Sequence, residues 1–352
     1  MAKKIPVIVL AGFLGSGKTT LLNHLLRGSR GTRIGAIVND FGSINIDAMT
    51  VAGQVDAMVA LDSGCLCCVA DTEDMDEMLG RLADPSVGID VIVIEASGLA
   101  EPQSMIRLLL ASTDPRITYG GLLEVVDAAE YDATRARHPE LDRHVRAADL
   151  VVLNKTDRVD DATRVRLLDT LAGISPGTPV VTADHGRVDP GLLFDREPRA
   201  AVQDGVQQLS FADLYEVEDD RDEDDEVEDD HSRHLHALYD SAEFSCEQPL
   251  APRAFMDFLD SRPAGLYRMK GVVRFAPDAD QRKYTLHAVG GYLRFQPAPW
   301  DRTDDRVTQL VMIGAGIDAE SLTKQLHDCV EPDPAGATDE QLIPVLRYVR
   351  DE

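Results

Sequence analysis

The chain has 352 residues, of which 62 are acidic and 35 are Lys or Arg, so its formal net charge at pH 7 is −27. A chain this acidic is poorly suited to neutralising the phosphates of DNA or RNA, or to binding an anionic membrane surface. Hydrophobic residues make up 44% of the chain, which is enough to bury sizeable cores and excludes global disorder. The length predicts two domains, and we expect neither nucleic acid nor membrane as a partner.

The apolar runs of the chain bear on its compartment. None approaches the ~18 residues needed to cross a bilayer. The run at 5–10 is too short for the apolar part of a secretory signal and leads directly into Gly12. Five cysteines in the whole chain are too few for a disulfide scaffold. We therefore expect a cytoplasmic protein.

Short Val/Ile/Leu-rich runs alternate with helical patterns through the first two hundred residues. The predicted strands are 5–10, 34–39, 57–61, 91–95, 122–127, 150–154 and 179–182. The predicted helices are 18–27, 72–82, 102–111, 139–148 and 162–171. Because the runs are apolar on both faces, they are typical of parallel strands covered by helices on both sides. The pattern predicts an α/β domain with a doubly wound, mostly parallel sheet.

A strongly acidic run ends this pattern. Residues 216–230 contain twelve acids, one arginine and two valines, a net charge of −11. Such a run repels itself and cannot bury a core, so it predicts a solvated, disordered linker. Beyond it, strand patterns at 266–276, 284–288, 292–295 and 309–313 and helical patterns at 251–261 and 319–329 indicate a smaller α+β domain. The predicted divisions are 1–205, 206–236 and 237–352.

The strongest local signal is the sequence GFLGSGKTT at 12–20, between a predicted strand and a predicted helix, which is the context of a P-loop. Glycines allow backbone N–H groups to close around phosphates at a helix N-terminus. Lys18 would reach the β- and γ-phosphates, and the Thr19 hydroxyl would hold Mg²⁺. The candidate phosphate-binding residues are Gly12, Gly15, Ser16, Gly17, Lys18, Thr19 and Thr20. The alternative is a glycine-rich turn that matches by chance.

A second motif, Asn154-Lys155-Thr156-Asp157, follows the strand at 150–154. In P-loop GTPases, an aspartate in this arrangement accepts hydrogen bonds from the ring N–H and amino group of guanine, a pair that adenine lacks. A buried carboxylate left unpaired opposite adenine makes the discrimination large. The motif therefore favours GTP over ATP, with Asn154, Lys155 and Asp157 as base-binding candidates. Four residues alone could also form an ordinary polar loop.

Acidic residues after two other strands are candidates for the Mg²⁺ or water shell. Glu95 ends the run at 91–95, a Walker-B-like position, and the Gly98 amide could approach the γ-phosphate. Asp40 follows the strand at 34–39. We expect Lys18, Glu95 and Asp40 to act in catalysis. The alternative is a cap or turn residue in each acidic position.

Three cysteines, Cys65, Cys67 and Cys68, lie within four residues after the strand at 57–61. Thiolates so close together suit Zn²⁺, Cu(I) or another thiophilic ion. Redox chemistry competes with this hypothesis, because neighbouring thiols can form a disulfide, and a structural role is a third possibility. Cys246 and Cys329 are isolated, and we expect them to be ordinary core or surface thiols.

The motifs GFLGSGKTT, GCLCC, EASGLAEP and NKTD, in this order, resemble the CobW-like family of P-loop GTPases, which handle metals and are related to the nickel-insertion factors of urease and hydrogenase. The resemblance covers residues 5 to about 200. It continues more loosely into a C-terminal CobW-type domain through the stretch YRMKG at 267–271.

This resemblance implies a domain that binds Mg²⁺ and hydrolyses GTP, a Cys-x-Cys-Cys motif for a transition metal, commonly Zn²⁺, and delivery of that metal to a client protein. By position it assigns phosphate and Mg²⁺ to residues 12–20, the switch to Glu95 and Gly98, guanine to the Asn154 motif, and metal to Cys65, Cys67 and Cys68. Many relatives carry Asn-Glu-Phe-Gly-Glu where this chain has residues 39–43 as Asn-Asp-Phe-Gly-Ser, so the second acid is absent.

Several alternatives stay open at the level of sequence. The chain could be a GTP-dependent binding switch, a metal buffer, or an accessory factor for cobalt, cobalamin or nitrile-hydratase-type metal insertion. His231, His234 and His236 follow the acidic run and could collect metal loosely or simply be solvated. The sequence leaves open the physiological metal, the client, the need for an external activator and the oligomeric state, a homodimer included.

Overall fold

The structure is a computed structural model that describes residues 4–29, 31–38, 57–60, 72–98, 100–194, 240–277, 282–301, 305–334 and 336–349. Some of the predicted features lie outside the described residues. They are Asp40, the Cys65, Cys67 and Cys68 cluster, the acidic run at 216–230, and His231, His234 and His236. The predicted domain limits at 205 and 237 fall in the same undescribed stretch and stay predictions.

Within these ranges, the first sheet has seven strands, all parallel, in the order β3-β2-β4-β1-β5-β6-β7. The strands are β1 (Ile5–Ala11), β2 (Ile34–Val38), β3 (Ala57–Ala60), β4 (Val91–Glu95), β5 (Ile117–Asp127), β6 (Leu150–Asn154) and β7 (Val180–Ala183). Strands β2, β4 and β6 are buried at every position, as the continuous apolar runs require. The prediction of a doubly wound parallel sheet is confirmed.

Seven helices of the described residues belong to this sheet. They are α1 (Lys18–Gly28), α2 (Thr72–Leu82), α3 (Pro102–Ala111), α4 (Tyr131–Arg137), α5 (Leu141–Ala147), α6 (Asp161–Ile174) and α7 (Pro190–Leu193). Three apolar clusters form the helix-to-sheet cores: one contains Leu21 of α1, one contains Leu79 of α2 and Met105 of α3, and one contains Val145 of α5 and Leu167 of α6. The short, polar helix α4 was not predicted.

The second sheet is antiparallel, with five strands in the order β11-β10-β9-β12-β8. They are β8 (Asp240–Cys246), β9 (Leu266–Val273), β10 (Arg282–Val289), β11 (Tyr292–Pro299) and β12 (Thr308–Gly314). Helices α8 (Pro252–Asp260), α9 (Ala319–His327) and α10 (Ile343–Leu346) complete an α+β domain whose core includes Phe255, Phe275 and Phe295. Its prediction is confirmed, although strand β8 was missed.

The antiparallel domain packs against the amino ends of the parallel strands. Tyr267 and Val289 belong to the core cluster of the first sheet, and the Tyr267 hydroxyl donates to the Gly120 carbonyl at 3.4 Å. Gly121 has φ 116°, and a Cβ there would lie 2.8 Å from the Tyr267 hydroxyl oxygen, so the close approach requires glycine. The antiparallel domain therefore lies at the edge of the parallel sheet opposite the P-loop.

No helix of the described ranges is long and apolar enough to cross a membrane.

Candidate nucleotide site

The loop after β1 has the backbone of a phosphate cradle. Gly12, Gly15 and Gly17 have φ angles of 146°, 75° and 101°. A Cβ on Gly12 would collide with the Val125 carbonyl oxygen and lie 2.7 Å from the Ser16 Oγ, so no larger residue fits there. Helix α1 begins directly after Gly17 and has no acidic residue in its first turn. The loop therefore presents backbone N–H groups and a helix N-terminus to an anion.

The two side chains predicted to act on phosphate and Mg²⁺ lie at the start of α1. Lys18 is 7% exposed, and its Nζ donates to the Gly12 carbonyl at 2.9 Å and to the Phe13 carbonyl at 3.2 Å. The Thr19 hydroxyl donates to Glu95 Oε1 at 2.7 Å. Thr20 follows on an exposed position of the helix. The fold thus brings the P-loop threonine and the acid of β4 together.

Glu95 is at the carboxyl end of β4, opposite Leu10 of β1, and is 3% exposed. Just beyond it, the chain passes against the P-loop, because a Cβ on Gly98 would lie 2.7 Å from the Leu14 backbone nitrogen. A hydroxyl and a carboxylate are oxygen ligands that suit the hard Mg²⁺ ion. The residues present therefore fit a Mg²⁺ site at Thr19 and Glu95, while Asp40 lies outside the described residues.

Asn154 joins three loops at the carboxyl edge of the sheet. It is 1% exposed, its Nδ2 donates to the Ser16 carbonyl at 2.9 Å, and its Oδ1 accepts from the Gly186 N–H at 2.9 Å. Both halves of the amide are thus used, and a substitution would leave buried partners unpaired. The side chain ties the P-loop to the loops after β6 and β7.

Lys155 makes a second bridge to the P-loop. It has φ 61°, and its Nζ donates to the Gly15 carbonyl at 2.6 Å and to Asp127 Oδ2 at 2.6 Å. Asp127, at the end of β5, was not predicted as a site residue. Its signal was its position at the carboxyl end of a parallel strand, the edge where such sheets bind ligands.

Asp157 is held by its backbone, which leaves its carboxylate available. The Asp157 N–H donates to Asp184 Oδ1 at 2.9 Å, and the Asp184 carboxylate also accepts from the Thr156 hydroxyl. The Asp157 side chain is 33% exposed and lies 4.0 Å from His185 Nε2. Asp184 and Gly186, after β7, were also missed as site residues, since only the fold brings them to the Asn154 motif.

A cavity of about 330 Å³ lies beside the P-loop, lined in part by Phe13, Leu14, Asp127 and Lys155. Glu124 lies in the wall and is 2% exposed. Burial raises the pKa of Glu124 to about 8, although the nearby Lys18 charge opposes the rise. This carboxyl is therefore largely protonated at neutral pH.

The described ranges hold no group of three His, Cys, Asp or Glu side chains arranged for a metal ion. Both described cysteines lie in the antiparallel domain as free thiols, Cys246 half-buried and Cys329 in the core. Burial raises the pKa of Cys329 to about 11, so this thiol is a poor metal ligand. Both fit the expectation of ordinary thiols, and the predicted metal motif is outside the described residues.

A parallel sheet with a glycine-rich loop after its first strand, a Thr–Glu pair and an Asn-Lys-x-Asp loop at one edge defines a P-loop nucleotide-binding protein. Residues 6–182 match the family described as CobW/HypB/UreG, nucleotide-binding domain, and residues 239–330 match the Cobalamin synthesis protein cobW C-terminal domain. The chain belongs to the CobW/HypB/UreG family and is a P-loop GTPase.

Individual proteins resemble the chain to different extents. It is 34% identical over 196 residues to the zinc chaperone YjiA of Escherichia coli (strain K12), a match that covers 54% of this chain and 61% of that protein. It is 29% identical over 346 residues to the zinc chaperone CobW of Sinorhizobium sp, covering 88% and 93%. The crystal structure of Zn(II)-bound YjiA GTPase from E. coli is 22% identical, covers 94% of this chain and 100% of that chain, and has a TM-score of 0.43.

Proposed function

We propose that the chain is a GTP-hydrolysing metallochaperone, which binds a transition metal, zinc first of all, through Cys65, Cys67 and Cys68 and delivers it to a client protein. The observation that carries the proposal is the register of three neighbouring strands. Val38 of β2 pairs with Ala60 of β3 on one side and with Glu95 of β4 on the other. The strand before the cysteine motif and the strand that ends at Glu95 therefore finish at the same level.

This register supports a short path between metal and nucleotide. Neighbouring strands are ~4.8 Å apart, so the ends of β3 and β4 are separated by roughly 10 Å. Cys65 is five residues beyond Ala60, at most ~18 Å of extended chain. Because the loop after Glu95 contacts the P-loop at Leu14, a rearrangement on GTP binding or hydrolysis can reach the segment that carries the thiols.

The nucleotide chemistry follows from the loops already described. The N–H groups of the P-loop and of α1 would bind the phosphates, with the Lys18 ammonium turning from its loop carbonyls to the β- and γ-phosphates. Thr19 and Glu95 would hold Mg²⁺, which when bound neutralises charge on the phosphates. The Asp157 carboxylate would select guanine by accepting from its ring N–H and amino group.

The metal is cargo in this proposal. Three neighbouring thiolates suit Zn²⁺, and the names of the YjiA and CobW relatives support zinc as the ion. We propose the reducing cytoplasm as the compartment, since clustered thiols stay reduced there. A client metalloprotein would receive the ion, and a homodimer is the assembly we propose to look for first.

The experiment measures Zn²⁺ affinity by competition with a chromophoric chelator in three states: nucleotide-free, with GDP and Mg²⁺, and with a non-hydrolysable GTP analogue and Mg²⁺. We expect the GTP-analogue and GDP states to differ by about 5- to 150-fold, the usual range of coupling between two sites. Cys67→Ser should weaken binding in every state. Cys246→Ser removes a thiol outside the motif and should change nothing.

Equal zinc affinity in the three states would contradict coupling, and tight zinc binding by Cys67→Ser would contradict the ligand assignment. Lys18→Ala separates a chaperone from a metal buffer. It should keep the zinc affinity of the nucleotide-free protein but lose transfer to a client, whereas a buffer would keep both.

A further inference from the structure

A second cavity, of about 240 Å³, lies between the two sheets at the amino ends of the parallel strands, on the side opposite the P-loop. Lys4, Thr32 and Thr118 line it from the parallel domain, and Lys270 and Arg294 line it from the antiparallel domain. We propose that this interdomain cavity binds a small organic anion that carries a carboxylate or phosphate group.

The charge of the lining is the first argument. Among the described residues, the cavity is lined by four cationic side chains, those of Lys4, Arg268, Lys270 and Arg294, and by one carboxylate, that of Asp90. The Asp90 Oδ2 already accepts from the Arg33 backbone N–H at 2.9 Å. In a chain whose net charge is −27, such a local excess of positive charge is unusual. A concave, partly buried site of this sign concentrates anions.

Polar atoms in the wall give a second, independent argument. Thr32 is 7% exposed, and its buried hydroxyl has no hydrogen-bond partner in the described part of the chain. The same holds for the Thr118 hydroxyl and the Arg294 Nε. Buried polar groups normally have a hydrogen-bond partner, because a buried donor or acceptor without one costs free energy. All three atoms can donate a hydrogen bond, so each is a candidate donor to an anion bound in the cavity.

The size of the cavity and the residues that line it limit which ligands it could bind. Its volume is below the ~300–1,000 Å³ of sites for drug-sized ligands, so it suits a compact anion rather than a nucleotide. Donors come from both domains, so the ligand would bridge them. The proposal does not depend on metal transfer, because the P-loop and the carboxyl end of β3, which precedes the cysteine motif in the sequence, lie at the opposite edge of the sheet.

The test is equilibrium dialysis of the full chain saturated with GDP and Mg²⁺, so that the P-loop is occupied, against labelled succinate and, separately, labelled inorganic phosphate. We expect saturable binding of at least one probe, with one site per chain, and the tighter probe tells which acid group the site prefers. Thr32→Val removes only the hydroxyl donor and should raise the Kd about 10-fold, and Arg294→Gln by at least as much.

Lys324→Gln is the matched control, because it removes one positive charge from an exposed position of α9, away from the cavity. It should keep the Kd within about 2-fold, and all three variants should keep the thermal midpoint and GDP affinity of the parent chain. Absence of saturable binding of both probes would overturn the proposal. Equal Kd values for the parent, Thr32→Val and Arg294→Gln would also overturn it, since binding would then be elsewhere.

Discussion

The two edges of the parallel sheet both carry buried or half-buried polar side chains, but these side chains are paired in different ways. At the carboxyl edge, Lys18, Asn154 and Lys155 each donate to a backbone carbonyl of the P-loop. At the amino edge, Asp149 accepts from the Tyr119 hydroxyl at 2.5 Å, from the Leu122 N–H at 2.9 Å and from the Gly291 N–H at 3.3 Å. The hydrogen bonds at the carboxyl edge connect loops to one another, and those at the amino edge connect the two domains.

This difference separates nucleotide binding at the carboxyl edge from the contacts of Asp149, which stabilise the fold. A bound nucleotide can replace the contacts within the loops, because Lys18 and Lys155 can donate to the nucleotide instead of to backbone carbonyls. The Asp149 contacts have no such role, since they hold strand β5, strand β6 and the turn before β11 together. Substitutions at the carboxyl edge should therefore change binding, and substitutions at Asp149 should change folding.

The largest effect is expected for Asp157→Asn at the carboxyl edge. The amide presents a donor to the guanine N–H and amino group, so GTP affinity should fall about 100-fold while affinity for xanthosine triphosphate rises. Fluorescent-nucleotide titration measures both. Asp161→Asn, four residues on and with an exposed side chain, is the control and should bind GTP normally. An equal loss of GTP affinity in both variants would contradict the assignment of Asp157 to guanine binding.

A smaller effect, on stability alone, is expected for Asp149→Ala at the amino edge. The Tyr119 hydroxyl and Leu122 N–H would lose their acceptor, which should cost about 2 kcal/mol of unfolding free energy. Asp149→Asn keeps one acceptor and should lose less. Urea denaturation gives the free energies, and GTP affinity should stay within about 2-fold. A large loss of nucleotide affinity in folded protein would break the division between the edges.

The smallest effect, when it is stated per pH unit, is a pH dependence of stability that comes from Glu124. The pKa of Glu124 is about 8 in the folded protein, against an ordinary value of 4.5 for this carboxyl. Between these values the folded state keeps a proton that the unfolded state releases, so stability should decrease as pH rises through this window. The slope should be at most about 1.4 kcal/mol per pH unit. Denaturation of Glu124→Gln from pH 5 to 8 should show a flatter profile, and an identical profile would contradict the buried, protonated carboxyl.

Much of the fold follows from local sequence, because parallel strands buried on both faces require continuous apolar runs. The predicted strands at 91–95 and 150–154 match β4 and β6 to the residue. The prediction began β5 at residue 122, whereas the strand begins at Ile117. Gly120 and Gly121 argue against a strand locally, and the close approach of Tyr267 that calls for Gly121 is a long-range contact that a local pattern cannot contain.

The candidate site divides in the same way. The motifs themselves identified Thr19, Glu95 and Asn154 because each has a fixed spacing and a strand before it. Asp127, Asp184 and Gly186 have no motif. They are found only when parallel strands bring their carboxyl ends together, which depends on strand order rather than on neighbouring residues.

The most direct test of the account is reciprocity between metal and nucleotide at the carboxyl edge. Affinity for a non-hydrolysable GTP analogue with Mg²⁺ is measured with zinc absent and with zinc saturating. Thermodynamic linkage requires GTP affinity to change by the factor that the analogue changes zinc affinity, and we expect about 5- to 150-fold. The same GTP affinity with and without zinc would contradict a GTPase that couples its nucleotide to a metal.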